Sequence, residues 1–174
     1  MRLDSEKIFL RAVEPEDLEF LYKWENSIEI WEESNTLAPY SRLAIKEFIE
    51  RSLSENVLEI KQIRFMVCSK HNNSVVGTAD IFDIDTLHNR AEIGLLIDSD
   101  FRGKGFAKET LDLLCKYATD ILMLKQLYVH IATDNISCIE MFEKSDFVKC
   151  GTLKSWLRRR SGYKDVAVYQ RILS

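Results

Sequence analysis

A chain of 174 residues, 46% hydrophobic and 30% charged, holds enough apolar material for one folded core, and a single domain over 1–174 is expected. Its net charge of −4 argues against a general nucleic-acid binder, which would carry a basic excess. No apolar run approaches the ~18 residues that a membrane span needs, and "MRLDSEKIFLRAVEP" lacks a secretory core, so a cytoplasmic protein is expected. Cys68, Cys115, Cys138 and Cys150 have no CxxC spacing and sit in apolar runs. They read as reduced, small core residues, and no metal site is expected.

Few prolines and glycines, no repeat and no low-complexity stretch leave no obvious linker. "KIFLRAVE" alternates as a first strand, and Glu14-Pro15 stops it and opens a helix with Leu18, Leu21 and Tyr22 on one face. "WENSIEIWEESNTLAPY" reads as irregular. Ser41 can cap a second helix whose buried stripe is Ile45, Phe48, Ile49 and Leu53. Three strands follow, "IRFMVCS", "VVGTADIFDID" and the more fully apolar "RAEIGLLI", joined by the turns "KHNNS" and "LHN". Ala107, Leu111, Leu114, Cys115 and Ala118 give a helical stripe, "QLYVHIA" a strand, and "NISCIEMFEKS" a helix with Ile139 and Phe142 one turn apart. "FVKCGTLKSWLRR" and "DVAVYQRIL", around the turn "RSGYK", close the chain as an antiparallel pair. The order β-α-α-β-β-β-α-β-α-β-β predicts an α/β fold with a mixed, mostly antiparallel sheet flanked by helices.

"DFRGKGFAKE" stands between the apolar strand and the next helix. Gly103 and Gly105 allow positive φ and close approach of a ligand. The helix that the turn opens has unsatisfied amides at its positive end, and Arg102 and Lys104 add full charges. Such a turn suits a phosphate or pyrophosphate; a tight connection with solvated cations accounts for the residues equally well. A Walker A loop is ruled out because Lys104 is followed by Gly105, and a dinucleotide fingerprint because Lys108 stands where its third glycine belongs.

Arg102-Gly103-Lys104-Gly105-Phe106-Ala107 resembles the acetyl-CoA signature of the GNAT N-acetyltransferases, and "DNISCIEMFEKSDF" resembles that family's second block. "RAEIGLLIDSDFRGKGFA" is similar to the branch holding spermidine and ribosomal-protein N-terminal acetyltransferases. The order of elements agrees along almost the whole chain. The resemblance implies that Arg102–Ala107 bind the CoA pyrophosphate through backbone amides. It implies that Leu95, Leu96 and Ile97 lie on a splayed strand whose backbone pairs with pantetheine, and that Asn135 contacts the same arm. Acetyl-CoA is then the cosubstrate, with direct attack of an amine on the thioester and no metal.

The second block departs from the pattern at three positions: Cys138 for serine, Asp146 for glycine, and Phe142 for the tyrosine assigned as the acid toward the departing thiolate. Tyr128, His130 or a water could take that role. Glu92 is the candidate catalytic residue, since a carboxylate is unusual in an apolar strand; pairing with Arg90 at the surface is its structural alternative. A lysine-like amine is only about one part in 10³ neutral at pH 7, so a side-chain or polyamine acceptor needs help losing its proton.

Trp24, Glu25, Glu29, Trp31, Glu32 and Glu33 suit a cationic acceptor through charge and cation–π contact, or form a solvated acidic face. A polyamine such as spermidine and a protein N-terminal amine both remain open. "LRRRSGYK" reads mainly as a solvated hairpin tip. A CoA-binding sensor with little turnover, motivated by Phe142, and a nucleic-acid module built on Arg158–Arg160 are the competing classes. A homo-oligomer is compatible with the sequence.

Overall fold

The computed structural model describes residues 3–33, 36 and 38–173. Seven strands form one sheet: β1 (Ile8–Ala12), β2 (Gln62–Ser69), β3 (Val75–Asp85), β4 (Arg90–Ile97), β5 (Gln126–Ala132), β6 (Val148–Arg159) and β7 (Gly162–Ile172). Their spatial order is β1-β2-β3-β4-β5-β7-β6. Among the described residues, only β4 and β5 pair in parallel. The helix α5 (Phe106–Asp120) makes the crossover that a parallel pair requires. The mixed, mostly antiparallel sheet expected from the sequence is what forms.

Strand alternation splits the core in two. Phe65 and Val67 of β2, with Leu95 and Ile97 of β4, join a cluster with Leu111, Leu114 and Ala118 of α5 and with Phe142. Met66, Cys68 and Leu96 face the other way. They meet Leu21 and Trp24 of α1 (Leu18–Glu25) and Ile45 and Ile49 of α3 (Arg42–Ser54). Neighbouring side chains thus serve opposite faces, as the two-residue period demands.

Several local expectations need correction. The segment read as irregular contains a short helix, α2 (Ile28–Glu33), whose first turn closes on the Ser27 carbonyl. A further turn of helix, α4 (Val57–Ile60), is capped by Asn56. Ser41 does cap α3, its hydroxyl accepting from the Ala44 N–H at 3.1 Å, but Leu53 is exposed rather than part of the buried stripe. Cys68 and Cys115 are buried, Cys138 is half-buried and Cys150 is exposed, so Cys150 is no core residue. The last hairpin turns on Arg160 and Ser161 alone, with Gly162 already in β7.

α6 (Ile136–Glu143) ends on Asp146, whose φ of +62° closes the helix. The Phe147 N–H bonds the Phe142 carbonyl at 3.1 Å there. That left-handed conformation favours glycine, and aspartate is among the few side chains that adopt it at low cost. The departure at position 146 is therefore conformationally silent.

Candidate functional site

The site begins where two strands part. The parallel ladder runs Arg90–Gln126, Ala91–Leu127, Glu92–Tyr128 and then stops. β5 continues for its full length against β7, while β4 continues against β3. Among the described residues, the β5-facing backbone edge of Leu95, Leu96 and Ile97 carries no ladder. Their side chains are spent in the two cores, so backbone is what the strand presents to the gap.

At the end of β4 the chain turns. Asp98 accepts from the Asp100 N–H at 3.1 Å, from Trp24 Nε1 at 2.7 Å and from Lys23 Nζ at 2.8 Å. Burial alone would push its carboxyl up; these hydrogen bonds overcome that and hold it at about 2. Because the folded value lies below the ordinary ~3.9, the stabilisation is present above pH 4 and fades as pH falls toward 2. Unfolding by denaturant at pH 4 and pH 2 is expected to show about 2 kcal/mol of acid loss that Asp98→Asn lacks.

Gly103 and Gly105 have φ of +75° and +82°, and a Cβ placed on Gly103 would meet no atom within 4 Å. The turn surface is therefore open, and the first amides of α5 point out of it. Arg102 Nε bonds the Ile97 carbonyl at 3.2 Å, and Lys104 Nζ the Asp100 carbonyl at 3.3 Å above the Phe101 ring. Phe106 and Ala107 start the helix half-buried against the core. Sequence reasoning missed Lys7. Its Nζ lies 3.4 Å from the Lys104 carbonyl, and its backbone N–H donates to Glu109 in the first turn of α5 at 3.0 Å. Lys7 lies far away in the chain, and only the packing of α5 on β1 brings it here.

Asn135 caps α6, its side-chain oxygen accepting from the Cys138 N–H at 3.3 Å. Phe142 lies in the core, 2% exposed, edge-on to Phe147 with ring centres 5.0 Å apart.

The sheet face opposite α5 divides. Beyond the part covered by α1 and α3, the register lines up Arg64, Asp80, Phe82, Glu92, Tyr128 and His130 on one face. Arg64 bonds Asp80 at 2.7 Å and Glu25 at 2.5 Å. Burial works against its charge, and the two carboxylates more than restore it. Lys61, Gln62, Arg64, Asp80, Phe82 and Asp83 line a cavity of about 270 Å³ on this face. Glu92 does not pair with Arg90, which bonds Asp85 at 3.2 Å. Instead its Oε1 lies 2.7 Å from His130 Nδ1, and His130 stands edge-on to Tyr128. Burial, then Glu92 and Asp83, push the Tyr128 phenol up.

The acidic, aromatic segment resolves differently from its cation–π reading. Trp24 is a buried anchor on Asp98, Glu25 is bound to Arg64, and Trp31 Nε1 donates to the Glu25 carbonyl at 2.6 Å. Glu29 is exposed, and the side chains of Glu32 and Glu33 lie outside the described residues. In the basic hairpin, Arg159 and Lys164 are each 3.2 Å from Asp134, which leaves its charge partly neutralised. Burial pushes the Cys115 thiol up to about 11, an inert state.

This arrangement has counterparts. The family model for the acetyltransferase (GNAT) domain matches residues 7–148. The chain is 27% identical over 165 residues to the spermidine N(1)-acetyltransferase of Vibrio cholerae, covering 93% of this chain and 91% of that protein. It is 26% identical over 154 residues to the spermidine N(1)-acetyltransferase of Escherichia coli K12, covering 86% and 77%. The crystal structure of the Vibrio cholerae spermidine N-acetyltransferase in complex with CoA and spermine superposes with a TM-score of 0.85 at 26% identity, over 95% of each chain. A dodecameric structure of the same enzyme gives 0.81 at 26% identity, over 96% of this chain and 94% of that one. With a match that runs from the residue before β1 to the first residue of β6, the chain belongs to the GNAT family of N-acetyltransferases.

Proposed function

We propose that the protein transfers an acetyl group from acetyl-CoA to a polyamine of the spermidine type, by direct attack of the amine on the thioester. The observation that carries this reading is the parting of β4 and β5 just past Glu92, with a glycine turn at one end of the free edge and carboxylates at the other. The edge of Leu95, Leu96 and Ile97 that carries no ladder, its Ile97 carbonyl held by Arg102, would pair with the pantetheine arm as an added strand does. The turn Arg102–Ala107 would take the pyrophosphate on its open amides and cations. Asn135 keeps its oxygen in the cap and has its amide nitrogen to offer the same arm. Gly103, with no atom within 4 Å of where a Cβ would stand, leaves room for such a ligand.

The acceptor side supports a polycation. In the adjoining cavity's lining Asp80 and Asp83 balance Arg64 and Lys61; Glu25, bound to Arg64, and Glu92, one strand over from Phe82, tip the neighbourhood to an excess of negative charge that a polyamine neutralises. Glu92 is the carboxylate nearest the parting strands, and it arranges the loss of the amine's proton. In this reading residues 1–174 form one catalytic domain of a cytoplasmic protein that assembles from several copies, as the Vibrio relative does.

One observation favours a second reading. The core position of Phe142 leaves no hydroxyl there to protonate the leaving thiolate, as a CoA-binding sensor would tolerate. Release of CoA thiol from acetyl-CoA, measured with spermidine, spermine, serine- and alanine-ended peptides and lysine peptides, separates the two. Turnover is expected to be fastest with the polyamines, with kcat/KM at least tenfold lower in Glu92→Gln. Tight acetyl-CoA binding without thiol release would establish the sensor; a preference for peptide α-amines would move the acceptor class.

A further inference from the structure

We infer that His130 Nε2, rather than the Glu92 carboxylate, takes the proton from the acceptor amine, and that Glu92 positions the imidazole. This rests on the acetyl-transfer reading above. The two side chains come from the strands that part, β4 and β5, and meet diagonally just past the last rung of their ladder, Glu92–Tyr128. Glu92 Oε1 to His130 Nδ1 is 2.7 Å. An ionised carboxylate only accepts, so the proton between them sits on Nδ1. That fixes the neutral tautomer: Nε2 carries the lone pair and faces away from Glu92. Exposure agrees, with the imidazole 32% exposed and the Glu92 side chain 15% exposed. The outer group of the pair is thus the one with a free basic atom. The same division of labour, an acid–base imidazole oriented by a carboxylate on its other nitrogen, recurs in unrelated enzymes.

The surroundings keep the pair distinct. On its own strand His130 touches Tyr128, edge-on at 5.8 Å between ring centres. On β7 it faces Val168, with Gln170 opposite Tyr128. On β3 the charged groups of this face are Asp80 and Asp83, and on β2 Arg64, which Asp80 and Glu25 already hold.

In the transfer, Nε2 accepts one proton from the acceptor ammonium, and the freed nitrogen lone pair forms the C–N bond to the thioester carbonyl. The C–S bond breaks, its electron pair leaves on sulfur, and the second proton lost by nitrogen ends on that sulfur. The imidazolium returns its proton to solvent. Imidazole is suited to this because its free ring nitrogen can accept a proton and hand it on.

The test uses CoA-thiol release with the best acceptor from the panel, across pH. His130→Gln and His130→Ala are expected to lose about 10²-fold or more in kcat/KM at pH 7, with acetyl-CoA affinity by calorimetry unchanged. In these variants the amine must arrive neutral, so log kcat/KM should climb one unit per pH unit toward the amine's own pKa. The unsubstituted enzyme should level off earlier. Added imidazole should restore part of the rate of His130→Ala. Glu92→Gln still accepts the Nδ1 proton and should lose less, keeping the early levelling. Unchanged kinetics in both His130 variants, with Glu92→Gln inactive, would overturn this assignment and leave acetyl transfer standing. An unsubstituted enzyme that acetylates no amine would overturn both readings.

Discussion

Replacing Arg64 with methionine should lower the stability of the protein by about 3–5 kcal/mol, seen as a fall in denaturant midpoint. Arg64 is held between Asp80 and Glu25, with its side chain 16% exposed and theirs 12% and 24%. It also lies over the Phe48 ring at 4.9 Å. Removing the guanidinium leaves two largely desolvated carboxylates facing each other. Their cost, rather than the worth of the lost bonds, sets the magnitude. The triple replacement Glu25→Leu, Arg64→Met, Asp80→Leu should recover most of the loss, because it removes the charges together. If it recovers nothing, packing on Phe48 contributes more than the charges do. Millimolar spermidine should also recover part of the loss in Arg64→Met, since a polycation supplies the missing charge at the same place.

Phe142→Ala should cost about 3–5 kcal/mol, the range for a buried phenylalanine, read from the same unfolding curves. The ring is 2% exposed and packs edge-on to Phe147. It fixes α6 against the sheet, so acetyl-CoA affinity should fall along with stability. Phe142→Tyr separates packing from chemistry. A hydroxyl buried without a partner costs about 1–3 kcal/mol and gives no gain in kcat. A rise in kcat would mean that the hydroxyl reaches the leaving sulfur and that the resting enzyme works without this acid.

Much of this was legible in the chain because it depends on local pattern. β3, β4 and β5 have the bounds read from the chain, and Ser41 caps the helix that it was placed before. The turn with Gly103 and Gly105 was visible because positive φ has few substitutes. Register was not legible. The Glu92–His130 contact joins residues 38 apart, and only the pairing of β4 with β5 sets it. Lys7 at the turn and Arg64 between its carboxylates are equally non-local. Trp24 misled for a related reason: tryptophan beside glutamate suits a cation site, but its N–H was already spent on Asp98. α2 was missed because a six-residue helix shows too little periodicity.

The parting of β4 and β5 also explains why the free edge persists. A strand with idle amides in mid-sheet is a conflict that folding would ordinarily remove by letting the neighbour close in. β5 follows β7 along all seven of its residues, Gln126 to Ala132, while β4 follows β3, so the two strands diverge past the Glu92–Tyr128 rung. Closing the gap would require β5 to carry β7 with it toward β4, or to give up rungs to β7 as it bends. The unmet demand on β4 is therefore a frustration held in place by the pairing on the far side of each strand. Substitutions on β7, which does not border the gap, would tune how wide the gap stands.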